Sequence, residues 1–230
     1  VADVMGQAAY NNIRPYILAA LAGEHVTFES LFPHPNGRVI PVVVDYTPER
    51  GAQGDIKGFY ALVRDISDLK RAERDHLTGT LNRRGFDERL EVVCATAKRY
   101  RRPVALIFLD IDHFKSINDR YGHSVGDNVL TAVSHELCEA VRESDVVCRW
   151  GGEEFAILAP ETTLDEAEKL AERLRKTLAD RQHPTVGHVT ASFGVAELAG
   201  EEKEIDFIQR ADKALYAAKT AGRNRVEWAN

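Results

Sequence analysis

The chain has 230 residues, 44% hydrophobic and 29% charged, a balance that excludes a disordered polypeptide and suits one complete domain plus a smaller or incomplete one. Thirty basic against 36 acidic side chains leave a formal net charge of -6, which argues against a protein built to coat nucleic acid. No apolar run, Val104–Leu109 included, approaches the roughly 20 residues of a membrane span, so no membrane segment is expected within the chain. Three cysteines (Cys94, Cys138, Cys148) without C-x-x-C spacing suggest free thiols in a reducing, cytoplasmic compartment. No signal peptide is read at the start of the chain, which opens at Val1 rather than Met and leaves upstream segments open.

Residues 8–22 place Ile13, Tyr16, Ile17 and Leu21 at helical spacing, and Gly23 ends the run. Three β-rich segments follow at 26–32, 38–48 and 56–66, separated by Pro35-Asn36-Gly37 and a Gly51–Gly54 turn, an order that predicts an antiparallel meander. Three strands and one helix make a thin core, so this half reads as the back of a domain whose first strands lie upstream. The stretch 65–75 is polar, helix-prone and free of Gly and Pro, a connecting helix. Ile66, Leu69 and Ala72 form a weak seam along it, which alternatively would join two chains as a short parallel coil.

From Asp75 onward helices and strands alternate. A helix after Thr80 carries Arg84, Phe86, Leu90 and Val93, and the strand 104–110 follows. A loop over 113–127 leads to a helix from Asp127, with Val129, Leu130, Val133, Leu137 and Val141 on one face. Segments 145–150 and 155–159 read as a hairpin across Gly151-Gly152. A helix at 164–178, a strand at 189–197 and a helix at 208–221 complete a mixed α/β sheet covered by helices.

Two acidic sets stand out. Asp110 and Asp112 follow the strand Val104–Leu109, so by alternation they share a face while Ile111 points away and offers its carbonyl. Glu153 and Glu154 sit at the hairpin tip beside two glycines, which permit positive φ and close approach of a ligand backbone. If the hairpin lies beside the Asp110 strand, three or four carboxylates converge, and a hard divalent cation such as Mg²⁺ would neutralise them. Lys115 and the amides around Phe114 suit phosphate. Asn118 and Asp127 offer what guanine needs, although a turn residue and a helix N-cap explain them equally well. Lys219 and Arg223, four apart, share a helical face that is either a phosphate contact or a solvated C-terminal turn.

The motifs DHLTGTLNRRGF (75–86), LDIDHFKSINDRYGHSVGD (109–127), RWGGEEF (149–155), SFGVAE (192–197) and RADKALYAAKTAGRNRV (210–226) together resemble the GGDEF domain of bacterial diguanylate cyclases. The likeness implies a palm-like sheet shared with nucleotide cyclases, and condensation of two GTP molecules into cyclic di-GMP with release of two pyrophosphates. It implies that Asp110, the Ile111 carbonyl and Glu154 hold Mg²⁺, or Mn²⁺ in its place. Glu153 would then act at the reacting 3′-hydroxyl or on a second metal, with the division between the two glutamates left open. Phe114, Lys115, Asn118, His123, Asp127, Gly151, Gly152, Lys219 and Arg223 would bind substrate, and the working species would be a homodimer. Arg142 and Asp145 match the family's product-binding inhibitory site, with Arg173 of a neighbouring chain completing it and Arg175 as the weaker alternative. A helix-end salt bridge between Arg142 and Asp145 is the plainer explanation.

GEHVTFE (23–29), PNGR (35–38) and DIKGFYALVRDISDLKRAE (55–73) resemble the C-terminal half of a PAS domain and its exit helix. The division expected is a partial PAS-like unit over 1–64, a linker helix over 65–75 and a cyclase domain over 76–230. The PAS-like half names neither signal nor cofactor; His25 and His34 read as exposed strand or turn histidines rather than haem ligands. A catalytically silent cyclic di-GMP receptor is the competing function, and such relatives usually lose an acidic residue that this chain retains.

Overall fold

The computed structural model describes residues 7–33, 38–52 and 54–229. Contacts divide the chain into two compact units, Val1–Ala72 and Glu73–Asn230.

In the first unit α1 (Gln7–Leu21) precedes β1 (Val26–Pro33), β2 (Val39–Arg50) and β3 (Ile56–Asp65), an antiparallel sheet in the order β1-β2-β3, and α2 (Ser67–Ala72) ends it. Ile13, Ile17 and Ala20, spaced four and three apart, point one helical stripe at alternate β2 residues Val42, Val44 and Tyr46 and at Phe28. The meander expected from the sequence is therefore present. The turn Pro35-Asn36-Gly37 and His34 lie outside the described residues. His25 is exposed, with Nε2 2.9 Å from Asp45 Oδ1. The helix expected over 65–75 is shorter: Asp65 accepts from the Ser67 amide at 2.7 Å and fixes its start, while Arg74 leaves helical geometry to bridge Leu81.

The second unit is built on a six-stranded sheet. Its elements are β4 (Leu81–Asn82), α3 (Arg83–Tyr100), β5 (Val104–Ile111), α4 (Phe114–Tyr121), α5 (His123–Ala140), β6 (Val146–Arg149) and β7 (Glu154–Pro160). There follow α6 (Leu164–Asp180), a small hairpin β8 (Gln182–His183) and β9 (Gly187–His188), then β10 (Ala191–Glu197), α7 (Glu204–Thr220) and β11 (Val226–Ala229). The sheet order is β11-β10-β5-β7-β6-β4, antiparallel at the centre and parallel at the β10–β11 and β4–β6 edges. Alternation along β5 sorts the layers. Ala105, Ile107, Leu109 and Ile111 face α4, α5 and α6, whereas Val104, Leu106 and Phe108 face α3 and α7. Phe86, Phe155, Phe193 and Phe207 are fully buried, each stabilising the unit by roughly 1.5–3 kcal/mol through removal from water. Gly194 lets α7 reach the sheet, since a Cβ there would lie 2.1 Å from the Leu215 amide nitrogen. Among the described residues no helix is long and apolar enough to cross a membrane.

Three differences from the sequence expectation bear on the site. The segment read as a loop over 113–127 is two helices broken at Gly122. Phe114 and Ile117 anchor α4 on the core at helical spacing, a signal masked by the surrounding polar residues. Asp127 thus lies in the second turn of α5 and is not its N-cap. Next, α7 runs from Glu204 to Thr220, so Arg223 is beyond the helix with φ 62° and does not share a helical face with Lys219. Finally, the short edge strands β4 and β11 and the β8–β9 hairpin were not anticipated; each is only two to four residues long.

Candidate active site

Asp110 is the penultimate residue of β5 and pairs in register with Glu154, the first residue of β7. It falls on the α7 side of the sheet, where Lys219 Nζ lies 2.8 Å from its Oδ2 and 3.9 Å from Glu154 Oε1. Burial pushes the Asp110 carboxyl above its ordinary value; Lys219 pulls against that shift, and the charges of Glu153 and Glu154 add to it. Glu153 joins through its carbonyl, which accepts from the Ile111 amide at 3.3 Å. Ile111 itself is buried in the core on the opposite side, as alternation requires.

Glu153 and Glu154 lie near enough to Asp110 to act on its charge, whereas Asp112 does not join them. Among the described residues no group of three or more His, Cys, Asp or Glu side chains is assembled for a metal ion. Asp112 is diverted: its Oδ1 accepts from Ser192 Oγ at 2.7 Å and its Oδ2 from Thr190 Oγ1 at 2.7 Å and the Asn224 amide at 3.0 Å. What remains is an all-oxygen set of Asp110, Glu154 and neighbouring carbonyls. That partial set fits Mg²⁺, which binds few protein carboxylates and fills its octahedron with water and substrate phosphate.

At the hairpin tip neither Gly151 nor Gly152 uses the positive φ open to glycine. A Cβ on Gly152 would meet nothing within 4 Å, and one on Gly151 would come 3.2 Å from Glu154 Oε2, so the tip is open to an incoming group. Arg149 shapes it from behind. Its Nε and Nη2 donate to the Gly152 carbonyl at 3.1 and 2.8 Å, and its Nη1 donates to both Asp75 oxygens at 3.1 and 3.2 Å. Burial raises the Asp75 carboxyl, but the Thr78 hydroxyl and amide and Arg149 outweigh it and hold the group below its ordinary value. Sequence reasoning assigned neither residue a role; a D-x-x-T turn separated from its arginine by 74 positions carries no local signal.

Beside this end of the sheet, α4 starts with no side-chain cap and presents its first amides, with Lys115 exposed in the first turn. Phe114 is a core residue, so only its backbone is available. Asn118 is half-buried, and its Oδ1 has no hydrogen-bond partner among the described residues. Gly126 of α5 makes that placement possible: a Cβ there would lie 2.0 Å from Asn118 Oδ1. Asp127, the next residue, and His123 are exposed on α5.

Arg142 and Asp145 form a tight turn after α5. The Arg142 amide donates to Asp145 Oδ2 at 2.9 Å and the Asp145 amide to the Arg142 carbonyl at 3.0 Å. No ion pair joins their side chains among the described residues, so the helix-end salt bridge is absent. The turn borders an open cleft of about 700 Å³ that Arg74, Arg89 and Cys138 also line. Within the chain, Arg173 Nη2 caps the end of α5 by donating to the Ala140 carbonyl at 2.8 Å. Arg175 is held by Glu172 and by Asn224 Oδ1.

Residues 72–225 match the family model described as diguanylate cyclase, GGDEF domain, and residues 1–71 match a model of the PAS fold. The diguanylate cyclase DgcP of Pseudomonas aeruginosa is 42% identical over 176 residues, 75% of this chain and 26% of that protein. DgcM of Escherichia coli is 42% identical over 173 residues, 72% of this chain and 42% of its own length. The chain thus spans less than half of these curated relatives. Among solved structures, the coiled-coil and GGDEF domain of DgcB from Caulobacter crescentus in complex with c-di-GMP superposes with a TM-score of 0.68 at 34% identity, covering 71% of this chain and 90% of that one. The active GGEEF domain of a Vibrio cholerae diguanylate cyclase gives 0.62 at 36% identity, covering 65% and 97%.

Proposed function

The chain belongs to the GGDEF family of diguanylate cyclases, and from that premise we propose that it condenses two GTP molecules into 3′,5′-linked cyclic di-GMP with release of two pyrophosphates. The observation that carries this proposal is the pairing of Asp110 with Glu154 at one end of the sheet, facing a lysine and an open glycine turn.

In this mechanism Asp110, Glu154 and the Ile111 carbonyl would hold Mg²⁺, or Mn²⁺ in its place. The bound cation supplies charge neutralisation around the α-phosphate and its leaving pyrophosphate. Every other contribution comes from the chain. Lys115, the first amides of α4 and Arg223 take the negative charge of the triphosphate, and Lys219 shares it with Asp110. Asn118 and Asp127, with His123 beside them, read the guanine edge. A base lacking the matching donors would leave polar groups unpaired and be rejected. Gly151 and Gly152 admit the phosphates, and Glu153 approaches the attacking 3′-hydroxyl. Phosphoryl transfer relies on positioning and charge, which fits a site with no nucleophile of its own.

The product is two-fold symmetric while each chain carries a single set of these residues, so the catalytic species is a homodimer with two loaded faces opposed. Arg142 and Asp145 form the product-inhibition site, where Arg grips the O6/N7 edge of guanine and Asp accepts from its N1 side. The partner chain supplies Arg173. The unit matching the PAS fold acts as the sensor. Incubation with GTP and Mg²⁺, followed by chromatography, tests the activity: cyclic di-GMP and pyrophosphate should accumulate together. Stoichiometric retention of added cyclic di-GMP with no turnover would instead identify a silent receptor.

A further inference from the structure

Two carboxylates, at and just past the end of β5, hold the segment that ends α7 and turns: Asp110 takes the side chain of Lys219 and Asp112 takes the backbone amide of Asn224. Between them lies Arg223. We infer that Asp112 is a positioning residue for Arg223, setting its reach to the nucleotide triphosphate; the inference rests on the functional reading above.

Asp112 is only 5% exposed, and both of its oxygens are engaged. Ser192 donates from β10, Thr190 from the residue before that strand, and the Asn224 amide from the turn. The turn itself is unfavourable for its sequence. Arg223 and Asn224 take φ of 62° and 45°, left-handed backbone that Asn tolerates and that is uncommon for Arg. The Arg223 amide donates to the Ala218 carbonyl at 3.1 Å, and the Phe193 amide donates to the Arg225 carbonyl at 2.9 Å. Arg175 Nη1 donates to Asn224 Oδ1 at 2.7 Å while Glu172 holds the same guanidinium through Nε and Nη2. The Asp112 contact runs from this turn back to the residue that follows the strand carrying Asp110. It therefore fixes the Arg223 backbone relative to the acidic pair, and without the carboxylate the buried Ser192 hydroxyl, the half-buried Thr190 hydroxyl and the Asn224 amide lose their acceptor.

The test separates triphosphate binding from base binding. Calorimetry with Mg²⁺ measures 3′-deoxy-GTP, which lacks the attacking hydroxyl, and guanosine, which lacks phosphates. The proteins are the parent chain, Asp112→Asn, Arg223→Ala and the double variant. Asp112→Asn should weaken 3′-deoxy-GTP roughly tenfold, the scale of one charge-assisted contact, and leave guanosine within about twofold. The double variant should bind no more weakly than Arg223→Ala alone, because the two act through one contact. Losses that multiply in the double variant, or that fall equally on both ligands, would overturn the positioning role. A parent chain that fails to bind 3′-deoxy-GTP would remove the functional reading first. Should Asp112→Asn not fold, Thr190→Val with Ser192→Ala loosens the carboxylate while retaining it. The same selective pattern is then expected, about threefold in size, and its absence counts against the role.

Discussion

Lys219 Nζ lies 2.8 Å from Asp110 Oδ2 and 3.9 Å from Glu154 Oε1, so a lysine of α7 balances the charge of the paired carboxylates where β5 and β7 meet. Replacing it by methionine leaves those carboxylates together with no cation. Lys219→Met should lower the stability of the unit Glu73–Asn230 by about 1–3 kcal/mol, the cost of stripping a partner from a largely buried charge. Added Mg²⁺, without nucleotide, should restore more stability to the variant than to the parent. Urea unfolding followed by tryptophan fluorescence reads this unit alone, since Trp150 and Trp228 both lie in it. An equal response of both proteins to Mg²⁺ would show that the acidic pair is not where the cation binds.

Gly126 is the residue that gives Asn118 its place. A methyl at 126 would sit 2.0 Å from Asn118 Oδ1 and 3.1 Å from the Phe114 ring, so the amide must move. Gly126→Ala should cost about 1–3 kcal/mol of stability through overpacking. More diagnostically, it should reduce the preference for GTP over ITP, which lacks the guanine amino group, when the two compete for turnover. A variant with unaltered preference would place base recognition elsewhere.

Asp75 and Arg149 tie the start of the second unit to the Gly152 turn, and the pair gives a pH signature. The native Asp75 carboxyl is held below its ordinary value, so the unfolded chain binds the proton more readily. Its stabilisation is complete above the ordinary carboxylate range, near pH ~4, and is lost as pH falls through the depressed native value. The stability difference between the parent and Asp75→Asn should accordingly be about 2 kcal/mol and level at higher pH, shrinking below pH ~4. A difference that holds constant to low pH would contradict the assignment.

How far the sequence reached depended on the range of each signal. The strands Val104–Ile111 and Glu154–Pro160, the helices facing them and the position of Asp110 were readable, because apolar periodicity is a local property. The helices over 114–140 were half missed: α4 has only Phe114 and Ile117 to show its buried stripe, and charged residues hide it. Asp112 looked like a second site carboxylate because strand alternation extends on paper past Ile111. In the fold β5 ends there, and the hydroxyls of Thr190 and Ser192 capture the side chain. Lys219 and Arg223 looked like helical neighbours until the helix ended at Thr220. Pairings across 74 or 112 positions, Asp75 with Arg149 and Asp112 with Asn224, leave no trace in spacing at all.

The turn Arg142–Asp145 uses the carboxylate to brace backbone, with no ion pair between the two side chains among the described residues. Arg142→Ala should leave the initial rate within about twofold, as expected for a site away from the reacting atoms, while progress curves lose their slowing as cyclic di-GMP accumulates. Progress curves that slow as before would reject the inhibitory role.

Under the proposed function the Asp110–Glu154 pair holds the divalent cation beneath a GTP triphosphate. Its most direct test is the amount of cyclic di-GMP formed from GTP and Mg²⁺ by the parent chain and by Glu154→Gln, with folding of both checked by tryptophan fluorescence. The parent should form product, and the folded variant should form at least about 100-fold less, the scale of losing one preorganised charge in such a site. Equal product from both proteins would contradict the account.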